Sequence, residues 1–408
     1  MWHTNGLLPK PGAARIPDFE QTAIIGYDLK QQQPAEPSLR HLLPGIACIA
    51  VLCVILVLGL WPFHSPRNEV TWLKDQNGLR FGDYGTVMGT GAFKGTSARD
   101  ETSCTIELWL QAALPDNGGT ILTFYSPDNP LQFSVHQSLT DLMLQSWGSS
   151  SPGRARNQRI YLNDIFRQGQ RVFLTMTSGA QGTSVYVNGT ISAAARQLQL
   201  MPCGCTGRLI VGDSPRQQDS WSGQVRGLAI YDNELTAPAV LRHYNTWTQK
   251  GQPEVNWNEH VVGLYLFDER AGGIVHNHAR PGVDLFIPAT YTVLDKIFLE
   301  PFWNEFNMSW GYWEGILKNI AGFVPLGFCF CAYFALVRKT KRAGLVTVVL
   351  GFAVSLTIEV IQGFLPTRDS GTTDLITNTL GTWIGVVLFN AAGAQWEARW
   401  RWAQRRQN

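Results

Sequence analysis

Charge is in short supply in this chain: Asp, Glu, Lys and Arg make up only 16% of its 408 residues, and 33 basic residues nearly cancel 31 acidic ones. A net charge of +2 projects no field that would gather a polyanion, which excludes nucleic acid as an expected partner. Cysteine is sparse as well, 7 in all. Its one close pair, Cys203-Gly204-Cys205, leaves a single residue between thiols where zinc sites usually leave two or more. The nucleophile elbow, the phosphate loop and dense metal motifs are all missing, so the commonest enzyme signatures are absent. What the chain does have is apolar residues, 45% of it, enough to exclude a disordered or fibrous protein. Its mean hydropathy is nevertheless close to zero, so apolar stretches are segregated from a polar remainder. That division implies a membrane protein with a large polar insert.

Residues 1–41 contain Pro9, Pro11, Pro17, Pro34, Pro37 and the run Gln31-Gln32-Gln33, and read as a flexible cytoplasmic tail. Residues 42–63 follow without a charge, about 33 Å of helix, enough to cross a bilayer core. No small-residue cleavage site follows, so this first span is expected to be an uncleaved signal anchor. Three more apolar stretches, about 312–337, 343–365 and 374–394, lie within a second membrane part at 302–395, and a basic tail fills 396–408. Arg338, Lys339, Lys341 and Arg342 link two of these spans, and Arg399, Arg401, Arg405 and Arg406 follow the last. Positive charge marks the cytoplasmic side, so both termini are expected inside a cytoplasmic (inner) membrane. The insert at 65–301 and the short loop 366–373 are then outside, with Trp61, Trp310 and Trp313 as an outer belt and Trp396, Trp400 and Trp402 as an inner one.

Short alternating runs recur through the insert, among them Thr105 to Gln111, Gly119 to Tyr125, Leu142 to Ser146, Arg171 to Thr177, Thr183 to Val187 and Gln224 to Tyr231. Such a series, punctuated by Gly and Pro, predicts an all-β sandwich. Ile106, Leu108 and Leu110 share one strand face, and Asn188-Gly189 signals a type I′ hairpin. Cys104 faces the same oxidising side as Cys203 and Cys205, so one disulfide from Cys104 to either is expected, while Cys48, Cys53, Cys329 and Cys331 are packing residues of the spans. Val185 to Gly189, Gly207 to Gly212 and Trp221 to Thr236 closely resemble the laminin-G-like, concanavalin A-like lectin and glucanase jelly roll. In that family a helix after the last of these runs caps the sandwich. Thr236 is its expected N-cap here, and Val240, Leu241, Tyr244 and Trp247 are its apolar stripe. Leu264 to Asn277 looks like the segment that ordinarily opens such a domain yet closes this one, a permutation that would set the two ends of the insert side by side.

Glucanases of that superfamily place carboxylates at alternate strand positions, and no such triplet stands around Glu101 to Glu107, so a binding module is favoured over a glycosidase. Trp72, Trp147, Trp221 and Trp257 are open to two readings, sugar stacking or core. Asp213, Asp219 and Asp232 are either calcium ligands or turn residues, and His276 and His278 read as loop residues before metal ligands.

Polar residues are costliest inside the spans, where a carboxylate near the centre costs about 2.5 to 3.5 kcal/mol. Ser355, Glu359 and Gln362 share one face of the third span, Asp374, Asn378, Gly381 and Gly385 one face of the fourth, and Asn319, Gly322 and Leu326 one side of the second. With Arg368 above them, their polar faces are expected to converge in the outer third of the membrane. The stretch Asn319 to Phe328, then Ser355, Glu359, Gln362, Arg368, Asp374, Asn378 and Gly381, resembles the VanZ-like family in order and spacing. That resemblance implies a small integral membrane domain whose founding example is associated with low-level teichoplanin resistance. Asn319, Ser355, Glu359, Gln362, Arg368, Asp374 and Asn378 are thus either interhelical glue, with Thr373 capping the fourth span, or a site for a lipid headgroup or envelope precursor in which Arg368 meets an anion.

The expected architecture is a four-span α-helical membrane bundle carrying an inserted extracytoplasmic jelly-roll sandwich. Its expected work is non-enzymatic: binding a lipid-linked or glycan component of the cell envelope. The rival is an intramembrane enzyme acting on a polyprenyl- or phosphate-linked lipid, with Glu359 or Asp374 as base and Arg368 steadying negative charge. A third reading is a structural scaffold. Oligomeric state is left open.

Overall fold

The structure, a computed structural model, describes residues 39–93, 103–115, 117–147, 157–196, 207–216, 219–279, 282–306 and 308–407. Among the described residues, helix α1 (Leu39–Leu60) leads into sixteen short strands, and these lead into a membrane-type helical segment. Among the described residues, four helices are long and apolar enough to cross a membrane, over Leu43–Leu60, Trp310–Val337, Ala343–Gln362 and Thr372–Gln395.

The strands form two antiparallel eight-stranded sheets. One runs β1 (Thr71–Trp72), β2 (Leu79–Phe81), β13 (Gly223–Tyr231), β4 (Cys104–Ala112), β9 (Val172–Gly179), β10 (Gly182–Val187), β11 (Thr190–Ala195), with β14 (Val261–Tyr265) sharing an edge of β13 with β2. The other runs β15 (Ile274–Val275), β16 (Leu285–Phe286), β3 (Val87–Phe93), β12 (Gly207–Val211), β5 (Gly118–Ser126), β6 (Asn129–Ser138), β7 (Asp141–Trp147), β8 (Asn157–Leu162). Period-two alternation turns Ile106, Leu108 and Leu110 of β4 inward against Leu122, Phe124 and Val135 of the facing sheet. The hairpin between β10 and β11 turns on Asn188 and Gly189 at φ 53° and 77°, the paired left-handed geometry of a type I′ turn. Strands β1, β2, β3, β8, β15 and β16 carry no long alternation and were not foreseen.

Helix α2 (Ala237–Lys250) covers the outer face of the first sheet, where Val240 and Trp247 pack on Phe173, Ala229 and Tyr231. A Cβ at Gly227 would lie 2.3 Å from the Trp247 ring, so this strand position has room for that ring only as glycine. Two details of the expected cap differ. Thr236 has the extended N-cap conformation but makes no side-chain cap bond. Leu241 is 49% exposed, and His243 takes an inward place instead, because buried carboxylates wait for it there.

The ends of the insert do meet: Tyr291 N donates to Pro66 O at 2.9 Å, Asn68 N to Ala289 O, and Arg67 bridges antiparallel to Thr290. A domain whose ends pair can sit between two spans without prising them apart. From there the chain runs past the short α3 (Phe302–Glu305) into α4 (Trp310–Ala332, continued as a π turn at Tyr333–Val337), α5 (Ala343–Gln362) and α6 (Thr372–Gln407), which extends well beyond the expected 374–394. Cys104 is disulfide-bonded, whereas Cys203 and Cys205 lie outside the described residues. Cys48, Cys53, Cys329 and Cys331 are free thiols, with Cys53 exposed on α1.

Candidate functional site

Helices α4 and α6 approach unusually closely, and glycine is the reason. A Cβ at Gly381 would stand 2.3 Å from Ile320 O, one at Gly385 2.2 Å from Val324 O, and one at Gly327 2.0 Å from Thr382 O. Backbone against backbone leaves side chains nowhere to go but sideways, and the polar ones gather at the end of the bundle facing the sandwich. Asn319 Nδ2 of α4 donates to Asp374 Oδ1 of α6 at 2.7 Å, and Asn378 Nδ2 of α6 donates to Ser355 Oγ of α5 at 3.0 Å. Glu359, 1% exposed, accepts the Gly371 amide on Oε2 at 2.8 Å. Gln362 donates to Gly59 O of α1 at 2.8 Å, and the Arg368 guanidinium donates from Nε and one Nη to Trp61 O.

All seven of these polar residues therefore lie in one connected region, and six of them, Asn319, Glu359, Gln362, Arg368, Asp374 and Asn378, line a single cavity of about 690 Å³. Ser355 sits behind Asn378. Much of the remaining lining is apolar: Val54, Ile55 and Leu58 of α1, with Phe323 and Pro325 of α4. Nothing in the sequence pattern assigned α1 to this site, because its residues are apolar all round. Lys318 also lines the cavity, but its Nζ is 2.7 Å from Glu314 on the preceding turn.

Glu305, in the four-residue α3, was also missed. Its Oε2 accepts the Thr373 amide at 3.0 Å and the Thr373 hydroxyl at 2.5 Å. Thr373 was expected to cap α6 with its own side chain, but the helix begins a residue earlier and a carboxylate brought from the linker does the capping. Just above, the linker pairs in parallel with the loop before α6, Glu300 against Gly371. Lys296 Nζ donates to Arg368 O and lies 3.5 Å from Asp369. Burial holds the Lys296 ammonium below its ordinary value, and burial with Glu305 and Asp369 nearby raises the Glu300 carboxyl. Together with Ser214 and Arg216 of the sandwich these residues enclose a second, smaller cavity of about 160 Å³. Arg216 pairs with Asp295 at 3.0 Å. The loop carrying Arg368 into the bundle cavity is thus the same loop that the sandwich and its linker grip.

Elsewhere the sandwich places the sequence candidates more plainly. Trp221 is fully buried with Nε1 on Gln137, so it is core, and Trp72 donates Nε1 to Gly272 O. The side chains of Trp147 and Trp257 lie outside the description. Asp213 accepts the amides of Ser214 and Asp219, and burial pushes its carboxyl up to about 7. Among the described residues, the group of metal-ligating atoms that gathers within 4.8 Å is Asp268, Glu269 and His278, not the three aspartates. A buried network went unnoticed in the sequence. Glu107, in the middle of β4, accepts from Tyr231 OH (2.9 Å) and Trp247 Nε1 (3.1 Å) and meets His243 Nδ1 at 2.9 Å, while His243 Nε2 reaches Glu259 at 3.1 Å.

The VanZ/LLP1 family matches residues 266–393, which hold every residue of the polar cluster, and the concanavalin A-like lectin/glucanases superfamily matches residues 88–241. The chain fuses a VanZ-like segment to a lectin-like sandwich. With four helices able to span, it is a membrane protein carrying a concanavalin A-like module. Solved structures similar to it include a native heptameric SAP-like pentraxin from Limulus polyphemus, 15% identical over 55% of this chain and 95% of that one, with a TM-score of 0.34. Another is the receptor binding domain of the botulinum neurotoxin C/D mosaic serotype, 11% identical over 54% of this chain and 62% of that one, with a TM-score of 0.37. The chain spans about half to three fifths of the length of such toxin chains. No curated protein matches it.

Proposed function

We propose that this VanZ-like protein holds the polar group of a lipid-linked cell-envelope component inside its helical bundle, while the tethered sandwich binds glycan on the outer face of a cytoplasmic membrane. The observation that carries the reading is the bundle cavity itself. A space of about 690 Å³ is lined both by carboxyl and carboxamide side chains and by the aliphatic side chains of α1, the mixed lining an amphiphile requires. Intramembrane ionisable residues that face a cavity rather than lipid are ordinarily part of a ligand path. The lectin-like match supports the second half of the reading, and the basic residues between α4 and α5 support the orientation. A link to glycopeptide resistance follows only from the VanZ-like segment and would be one consequence of shielding an envelope precursor.

The test is co-purification of full-length protein with envelope lipids, identified by mass spectrometry, alongside glycan-array binding. A saturable lipid-linked species displaced from Glu359→Gln protein supports the proposal. Equal, non-saturable lipid carry-over by wild type and variant would overturn it, and protease protection of the sandwich in right-side-out vesicles would overturn the orientation.

A further inference from the structure

The hydrogen-bond inventory of the bundle cavity is lopsided. Each carboxamide nitrogen around it makes one hydrogen bond within the protein: Asn319 to Asp374, Asn378 to Ser355, Gln362 to Gly59. Their carbonyl ends are another matter. Asn378 and Gln362 are 5% and 8% exposed, and neither Asn378 Oδ1 nor Gln362 Oε1 has a hydrogen-bond partner. Beside these orphaned acceptors stand Glu359 and Asp374, which are acceptors too when ionised.

Charge tells the same story. Among the charged side chains acting on Glu359 are Asp374 and Glu305, and among those acting on Asp374 are Glu305 and Asp369, all acidic. The two cations along the cavity are occupied elsewhere, Lys318 with Glu314 and Arg368 with the Trp61 carbonyl. The N-terminus of α6 adds about half a positive charge at the same end. A ligand entering this end meets carboxyl and carbonyl oxygens, and this leads to a reading different from the anion first expected opposite Arg368.

We propose that the cavity takes a primary ammonium group borne on an apolar chain, with the ammonium among Glu359, Asp374, Gln362 and Asn378 and the chain along Val54, Ile55 and Leu58. The assignment rests on the lipid-binding reading above and narrows it. A primary ammonium offers three donors and no acceptor, which matches the unpartnered Asn378 and Gln362 carbonyl oxygens and the acidic side chains beside them. A hydroxyl brings no charge, and a quaternary ammonium brings no donor.

Native mass spectrometry of the full-length protein in detergent tests this with matched probes: octyl glucosaminide against octyl glucoside, and phosphatidylethanolamine against phosphatidylcholine of the same acyl chains. A charge-assisted contact should favour the amine of each pair by about tenfold. Glu359→Gln and Asp374→Asn, which keep acceptors for Gly371 and Asn319, should each erase that preference without lowering the melting temperature. Preference in both pairs points to any primary amine, and preference for phosphatidylethanolamine alone identifies an aminophospholipid; either supports the proposal. Saturable binding that ignores the amine would overturn it and leave the lipid-binding reading standing. Absence of saturable binding by every probe would sink both.

Discussion

Gln362 donates its side-chain amide to the backbone carbonyl of Gly59, 2.8 Å away across 303 positions of sequence. The last carbonyls of a helix have no partner within it, and Pro62, just beyond α1, brings no N–H of its own. Gln362 and Arg368 answer two of those carbonyls, Gly59 O and Trp61 O, and so tie α1 to a bundle it otherwise touches through few apolar residues such as Ile55. The cation at a helix C-terminus also opposes the negative end of its dipole.

Removing either tie should loosen α1. Gln362→Met keeps the volume but strands the Gly59 carbonyl, at about 1 to 3 kcal/mol for a buried unsatisfied group. Thermal unfolding of the full chain in detergent should show a lower midpoint for Gln362→Met and Arg368→Ala. Lys318→Ala, which removes an exposed ion pair worth at most about 1 kcal/mol, should stay near wild type. Indistinguishable midpoints for all three would show that α1 is held by packing alone.

The sandwich should respond to pH through His243. Burial opposes its charge, yet Glu107 and Glu259 on either side outweigh that and hold the imidazole above its ordinary 6.5. A folded-state value above the unfolded one means the stabilisation is complete below 6.5 and is lost as pH rises through the raised value. Glu259 acts in the other direction. Although burial raises its carboxyl, the Asn256 amide, His243 and Arg242 leave it lowered from 4.5, so its share is present above 4.5 and lost as pH falls through the lowered value. Protection of the β4 and α2 amides, taken as exchange relative to the base-catalysed rate of free peptide at each pH, should accordingly be greatest at mildly acidic pH and fall toward alkaline pH. His243→Gln should flatten the alkaline limb, and an unchanged limb would mean His243 is neutral throughout.

How much of this was legible depended on the period of each signal. The alternating runs and the Asn188-Gly189 turn announced the sandwich because strand pairing there is local and regular. Two-residue strands such as β15 and β16 exist only through their partners, so no window of sequence contains them. Within the spans the cluster was readable because Glu359, Asp374 and Asn378 are expensive in lipid wherever they stand. The apolar wall on α1 and the Glu305 cap were not, since Val54, Ile55 and Leu58 look like any lipid-facing residues and Glu305 lies in a stretch with no periodicity. Glu107 was hidden for the opposite reason: a carboxylate on the outward face of a strand reads as solvated, and α2 covers it.

The cap on α6 can be tested through Glu305. Its carboxylate serves the Thr373 amide and hydroxyl at the helix N-terminus, where negative charge is favoured. Losing an N-terminal cap costs about 0.5 to 2 kcal/mol, so Glu305→Ala should speed amide exchange over the first turn of α6 several-fold. Glu305→Gln retains an acceptor and should have a smaller effect. Equal exchange in all three proteins would assign the cap elsewhere.

Glycine placement allows a test of the α4–α6 contact that carries its own control. In the interior of a helix, alanine is favoured over glycine by about 1 kcal/mol wherever space permits. At Gly315, on the same helix α4, a Cβ meets nothing within 4 Å, so Gly315→Ala should be neutral or stabilising. At Gly381 and Gly385 the new methyl would run into the carbonyls of Ile320 and Val324 at 2.3 Å and 2.2 Å, and backbone cannot step aside as a flexible side chain does. Gly381→Ala and Gly385→Ala should therefore push α6 away from α4, lengthening the Asn319 to Asp374 bond that helps form the cavity. Detergent melting temperatures should fall for these two variants and hold or rise for Gly315→Ala, and amphiphile binding should weaken in step with the fall. If all three substitutions move the melting temperature in the same direction, helix propensity rather than close approach decides the packing, and the cavity does not depend on these glycines.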